Sequence, residues 1–383
     1  MGMMKKYLMA LSFVYLTAAS ASTQKGFETE VYGFIKTSAM YATEALASYN
    51  NINLSAPTHA VAHTKSTDQQ SRMSFQAQQS RAGVNLKKGT DLSAKLEFDF
   101  IDFTKSSPTT QMNPRVRIAA VTYNWENQKV ILGQDWDLFS PVTSYTYDYV
   151  GLYFMAGNTG FMRQQFQYLN TQGKWEFGAA VGMAGNNPGT MDSDLELGKS
   201  PTYSARASYA LANGRIGASV IYSHLKYAEN DSSHDVYGYN LFLENSLGET
   251  SLKSEVYYGQ NLANIGALAI GKGTMNEDVK EYGGTLTLTH KLSPKHAPFG
   301  GVGFARVDNR DAITPISFNT ANTITNPGVS ANFLARFGWE YKVTEDFSWI
   351  TEFSRYETTS KLASNQYQTN IAESVETGIQ LRF

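Results

Sequence analysis

The 383-residue chain contains no cysteine, so a disulfide framework and thiolate chemistry are both excluded. It also lacks a long apolar run. The one hydrophobic window, residues 7–18, is shorter than the roughly 20 residues a spanning helix needs, and nothing after Ala21 replaces it. The formal net charge is only −2 and no basic stretch is present, which leaves nucleic acid without a surface to bind. There is no glycine-rich phosphate loop, and the 6 histidines are scattered. His59 and His63 share one segment, a weak metal signal by itself. Ser223 and His224 are adjacent, but neighbours in a strand point to opposite faces and cannot form a nucleophile–base pair. Asp135, Asp137 and Asp148 are too few, at unknown separations, to specify a cation site. These absences lead us to expect no cofactor, no metal and no enzymatic activity.

What the chain does have is aromatic residues and glycine: 23 Tyr, 21 Phe and 31 Gly. Its mean hydropathy of −0.34 reads as soluble. A transmembrane β-barrel reads the same way, because every second strand residue faces water. The start of the chain looks like a secretory leader. Lys5 and Lys6 form a charged region, residues 7–18 an apolar core, and Ala19-Ser20-Ala21 a small-residue cleavage site. The expected division is a leader at 1–21 and a barrel at 22–383.

Beyond the leader, alternating stretches recur. Leu92, Ala94, Leu96, Phe98 and Phe100 alternate with Ser93, Lys95, Glu97 and Asp99. Near the C-terminus Val375, Thr377, Ile379, Leu381 and Phe383 alternate with Glu376, Gly378, Gln380 and Arg382. About sixteen such strands can be drawn, and their connections sort by length. Short links follow the second, fourth, sixth, eighth, tenth and fourteenth strands, at 88–90, 125–127, 170–172, 212–213, 247–249 and 344–345. The intervening links at 43–70, 104–113, 139–159, 184–201, 260–278 and 309–328 are long. Short turns at one end and long loops at the other define an outer-membrane barrel rather than a soluble sandwich. The expected fold class is therefore all-β, a transmembrane antiparallel β-barrel, with both termini on the periplasmic side. Two strands break the pattern. Met73, Phe75 and Ala77 conflict in parity with Ala82, Val84 and Leu86, which calls for a β-bulge near residues 78–80. Arg115 and Arg117 share parity with Val121 and Tyr123, leaving that face mixed.

A barrel of this size is too wide for side chains to fill, so function resides in what narrows and charges its lumen. Loop 139–159 carries Tyr145, Tyr147, Tyr149, Tyr153 and Phe154 and is less polar than the other loops. Folding into the lumen would make it a constriction, with Asp148 at its centre; packing at a subunit interface or over the rim is the other explanation. Strand parity points Arg81, Arg115, Arg117, Arg163, Arg206 and Arg336 inward, with Glu97, Asp99 and Asp135 among the inward acids. A guanidinium row facing an acidic loop would hold small organic anions through paired hydrogen bonds. The simpler alternative is a set of ion pairs that brace the wall.

The stretches Val31-Tyr-Gly-Phe-Ile-Lys36, Gln79-Ser-Arg-Ala-Gly-Val84, Lys95-Leu-Glu-Phe-Asp-Phe100, Arg115-Val-Arg-Ile118 and Leu132-Gly-Gln-Asp-Trp136 resemble the DcaP-like porins of Gram-negative bacteria. The terminal alternation ending on Phe383 likewise resembles the C-terminal assembly signal of outer-membrane barrels. The resemblance implies a sixteen-stranded homotrimer that passes small polar or anionic solutes such as dicarboxylates by diffusion. It implies residence in the Gram-negative outer membrane, with lipid, lipopolysaccharide and the barrel assembly machinery as partners. Two other functions stay open: a plugged surface barrel acting through its loops as an adhesin or structural protein, and a barrel hydrolase.

Overall fold

The computed structural model describes residues 26–44, 71–101, 113–148, 153–183, 200–226, 233–274, 276–318, 324–326, 328–363 and 365–383. The leader at 1–21 and loop 45–70 lie outside these residues. Seventeen strands form one antiparallel sheet: β1 Glu28–Ala42, β2 Arg72–Gln76, β3 Arg81–Lys88, β4 Leu92–Asp99, β5 Arg115–Trp125, β6 Gln128–Trp136, β7 Met162–Gln172, β8 Trp175–Gly182, β9 Thr202–Leu211, β10 Gly214–Lys226, β11 Ser233–Leu247, β12 Thr250–Gln260, β13 Lys280–His290, β14 His296–Val307, β17 Val329–Lys342, β18 Phe347–Ala363 and β19 Gln366–Arg382. A separate hairpin, β15 Ser317–Phe318 with β16 Ile324–Asn326, sits between β14 and β17. β1 pairs with both β2 and β3, β14 pairs with β17, every other strand of the sheet pairs with the next in sequence, and β19 pairs with β1 to close the sheet. The seam is completed by Gly33 and Phe383, whose backbones exchange hydrogen bonds of 2.9 and 3.1 Å.

β2 and β3 are one stave interrupted by a bulge. Ser38 stands opposite Gln76 and Phe34 opposite Arg81, so four steps along β1 face five along the partner. The extra residue reverses parity and turns Phe75 and Leu86 to the same exterior face. The sheet is thus a closed barrel of sixteen staves. A second bulge resolves the mixed face of β5. Glu97 pairs with Ile118 but Phe98 with Val116, so Arg117 is the additional residue and is buried, while Val116 and Val121 are exposed outside.

The links at one end are tight, with Glu126 and Asn127 between β5 and β6, Gly173 and Lys174 between β7 and β8, and Gly248 and Glu249 between β11 and β12. At the other end most links are long, but two are not: 227–232 and the two residues 364–365. β18 and β19 each run for 17 residues and rise as a tall hairpin. The polar stretches 358–363 and 366–367, where the sequence reads as a link between two strands, are themselves strand: Ser360 pairs with Gln368 and Lys361 with Tyr367, and the hydroxyls of the partners Thr359 and Thr369 are 2.9 Å apart.

The exterior is apolar. Val31, Ile35, Leu132, Leu241, Val256, Leu286, Val302, Phe337, Val375 and Ile379 are exposed large side chains on outward positions. Such a belt is stable facing hydrocarbon, not water. Four of the five tryptophans, Trp125, Trp175, Trp339 and Trp349, lie next to the tight turns. There an indole can rest its ring in hydrocarbon and its N–H in the interface. The inward positions carry Lys36, Ser38, Glu97, Asp99, Glu255, Arg336, Glu352, Glu376 and Gln380.

Candidate functional site

The link between β6 and β7 enters the barrel and runs along the inner wall. Phe139 is fully buried, and its carbonyl accepts hydrogen bonds from Ser219 Oγ on β10 and Asn240 Nδ2 on β11. Ser140 Oγ meets Glu255 of β12 at 2.8 Å, and Lys253 Nζ donates to the Thr143 carbonyl at 2.7 Å. Tyr145 donates its hydroxyl to Glu340 of β17 at 2.9 Å and packs edge-on to Phe299. The Tyr147 N–H donates to Glu352 of β18 at 2.8 Å. On the return limb Asn332 Nδ2 donates to the Met155 carbonyl at 3.0 Å. Close approach here requires glycine. Gly157 has φ +111°, and a Cβ there would lie 2.1 Å from the Gly284 carbonyl oxygen of β13. Tyr153 is buried in the lumen beside Arg336; Tyr149 lies outside the described residues. Burial pushes the Tyr153 phenol up.

The loop tip is fastened by an ion network. Lys36 Nζ on β1 is 2.9 Å from Glu376 and donates to the Tyr147 carbonyl at 2.5 Å, with the Tyr147 ring 3.9 Å away. Asp148 accepts from Gln79 Nε2, a bulge residue, at 2.8 Å and lies 3.4 Å from Arg336. Arg336 also pairs with Glu352 at 2.5 Å. These groups are desolvated, so each ion depends on its partner. Lys36 belongs to this constellation although its sequence signal was only parity: it is the one charge on the inward face of the upper half of β1.

Each of the six arginines that strand parity points inward stands within 4 Å of a carboxylate. Arg81 meets Glu97 at 3.7 Å, Arg115 meets Asp99 at 2.5 Å, and Arg117 bridges Glu97 at 2.9 Å and Asp99 at 3.2 Å. Arg206 pairs with Glu176 at 2.8 Å. Arg163 is fully enclosed, 3.6 Å from Asp137, and donates to the carbonyls of Met183 and Ile265 at 2.7 and 2.9 Å; it ties three loops together rather than facing the passage. Burial pushes the Asp137 carboxyl up, and Arg163 offsets this only in part. Asp135 shares the inward side with Arg163 in the register of β6 and β7, but its carboxylate accepts the Trp136 N–H at 2.8 Å.

One sector of wall is richer in cations. On β3–β5 Arg81, Lys95, Arg115 and Arg117 stand around Glu97 and Asp99, with Asp135 on the next strand. The acids lie beneath: Glu97 and Asp99 side chains are 6% and 1% exposed, while Arg81, Arg115 and Lys95 are 20%, 21% and 46% exposed. Arg81, Arg115 and Lys95 are therefore more accessible to solvent in the lumen than the acids they pair with. The tip of the inward loop ends at Gln79, at the edge of this sector. Among the described residues no group of three or more His, Cys, Asp or Glu is arranged to hold a metal.

No sequence-family profile matches this chain, and no curated protein matches it in sequence. Solved structures do. The outer membrane channel DcaP of Acinetobacter baumannii superposes with a TM-score of 0.71 at 15% identity, over 94% of this chain and 98% of that one. OmpT, an outer membrane protein of Vibrio cholerae, gives 0.58 at 13% identity, over 95% and 100%. An anion-selective porin from Comamonas acidovorans gives 0.56 at 11% identity, over 93% and 100%. With its lipid-facing exterior, its polar lumen and these likenesses, the chain has the fold of the outer-membrane porins.

Proposed function

We propose that this protein is a porin of the Gram-negative outer membrane. Its lumen passes small polar solutes by diffusion, with preference for anions of dicarboxylate size. The observation that carries the anionic preference is on β3–β5, where partly exposed Arg81, Lys95 and Arg115 pair with the buried carboxylates of Glu97 and Asp99. The positive edge that Arg81, Lys95 and Arg115 give this part of the wall attracts a carboxylate entering the lumen. The inward loop supports the reading further, since it narrows the lumen next to that patch. One neighbour is an anion-selective porin and another is OmpT in a trimer form, which supports carrying anion preference and a homotrimer to this chain. The Ser223–His224 adjacency forms no nucleophile–base pair: Ser223 donates to backbone carbonyls, and His224 is bound to Asp235 on the exposed rim.

Planar-bilayer recording under a salt gradient tests the proposal. The expected result is conductance in steps of three with a reversal potential of anionic sign. Arg81→Gln with Arg115→Gln should move that potential toward the cationic side. Cationic selectivity in the unaltered protein would overturn the assignment of the patch. A plugged barrel that works through its outer loops is the second reading, because two loops pack inside this lumen; folded protein without conductance would establish it.

A further inference from the structure

The link between β12 and β13 also folds into the barrel. It opens with Asn261 at φ 56°, makes a 3-10 turn over Leu262–Ile265 and turns again at Gly266 with φ 78°. Leu262, Ile265, Ala267, Leu268 and Ala269 are almost fully buried. Leu262, Ile265, Ala267 and Ala269 pack with Phe139 of the first loop and with Ile221, Leu225 and Val236 on the inner wall of β10 and β11. Two carboxylate and amide clamps hold the segment closed. Glu281 of β13 accepts the N–H groups of Ile270, at 3.0 Å, and Gly271, and takes the Tyr257 hydroxyl at 3.1 Å. Asn264 bonds both backbone groups of Gly273, at 2.8 and 3.1 Å.

The two inward loops are joined by their backbones. The Met155 N–H donates to the Leu268 carbonyl at 2.9 Å, and the Leu268 N–H donates to the Thr159 carbonyl at 3.0 Å. Phe154 and Leu268 share a buried cluster with Ile101. Arg163, from the wall, reaches the Ile265 carbonyl. The return limb of the first loop is thus braced by the second.

We propose that the constriction is made by two loops, and that 261–274 sets the size of solute admitted while the β3–β5 patch sets its charge. This rests on the porin reading. Residues 262–270 carry no charged side chain, and the segment's one cation, Lys272, lies beyond them, so this stretch acts as a neutral wall. Its removal widens the lumen without touching Arg81, Lys95, Arg115 or Arg117.

The test is swelling of proteoliposomes in neutral sugars of increasing size, paired with reversal potentials on the same preparations. Replacing residues 262–270 by an equal length of glycine and serine should shift the size cutoff upward and leave the reversal potential where it was. Glu281→Ala should give a smaller shift in the same direction. Phe154→Cys with Leu268→Cys, in a chain without native cysteine, covers the case of a misfolded replacement. Its oxidised form should keep the original cutoff even when combined with Glu281→Ala, and reduction should release it. An unchanged cutoff in folded Glu281→Ala and replacement variants overturns the inference, as does a reversal potential that moves with the cutoff. Unaltered protein that conducts normally keeps the porin reading in either case; unaltered protein that neither swells nor conducts removes both.

Discussion

Arg336 shows how the lumen handles charge. Its guanidinium is enclosed between Glu352 and Asp148 and lies over the rings of Tyr153 and Tyr356. Removing one member of such a group leaves its partners charged and without water. Arg336→Met should therefore destabilise the barrel by about 3–5 kcal/mol, measured by urea unfolding from lipid vesicles. Adding Glu352→Leu and Asp148→Leu should recover most of that loss; if the triple variant is as unstable as the single one, packing and not charge is the cause. That an arginine at position 336 points inward could be read from the alternation of Phe333, Ala335 and Phe337. Its partners could not, because they come from a neighbouring strand and from a loop tip whose position depends on the whole barrel.

Strands were the most legible elements, and the reason is the lipid. An outward side chain must be apolar and an inward one polar, so each stave writes its own parity into the sequence. Leu241 on β11 is an example, 60% exposed on the lipid side. Leu241→Arg should cost about 2–4 kcal/mol if that position is near the midplane, again by urea unfolding. The bulge between β2 and β3 was visible as a parity conflict, and it carries a sharper test. Deleting Gln78 would turn Phe75 and Met73 inward, so the variant should lose the folded band that resists unboiled detergent gels; a normal folded band would show that the register adapts. Loop 261–274 was readable by the criterion that exposed loop 139–159, an apolar stretch where a solvated loop should be polar. Leu262, Ile265, Leu268 and Ile270 carry that signal, but without the tyrosines that drew attention to the first loop. The two strands of the β18–β19 hairpin were legible near the barrel, but their upper ends, 358–363 and 366–367, were hidden because threonine, serine and glutamine there resemble a loop composition, while their pairing makes them strand.

The whole molecule is held by neighbours along the chain with one exception. Every stave but one pairs with the stave before it, whereas Ser38 on β1 meets Glu376 on β19 across 338 positions of sequence. Until β19 arrives, β1 is an open edge with unpaired N–H and C=O groups, and so is the last strand formed. Local hairpins can form early, but the closing step carries nearly the full loop entropy of the chain and should be the slow one. The barrel therefore spends its folding time as a curved ribbon with two sticky margins. Whether it ends as a pore or as an aggregate is decided at a seam nine residue pairs long, from Phe34–Arg382 to Ala42–Ser374.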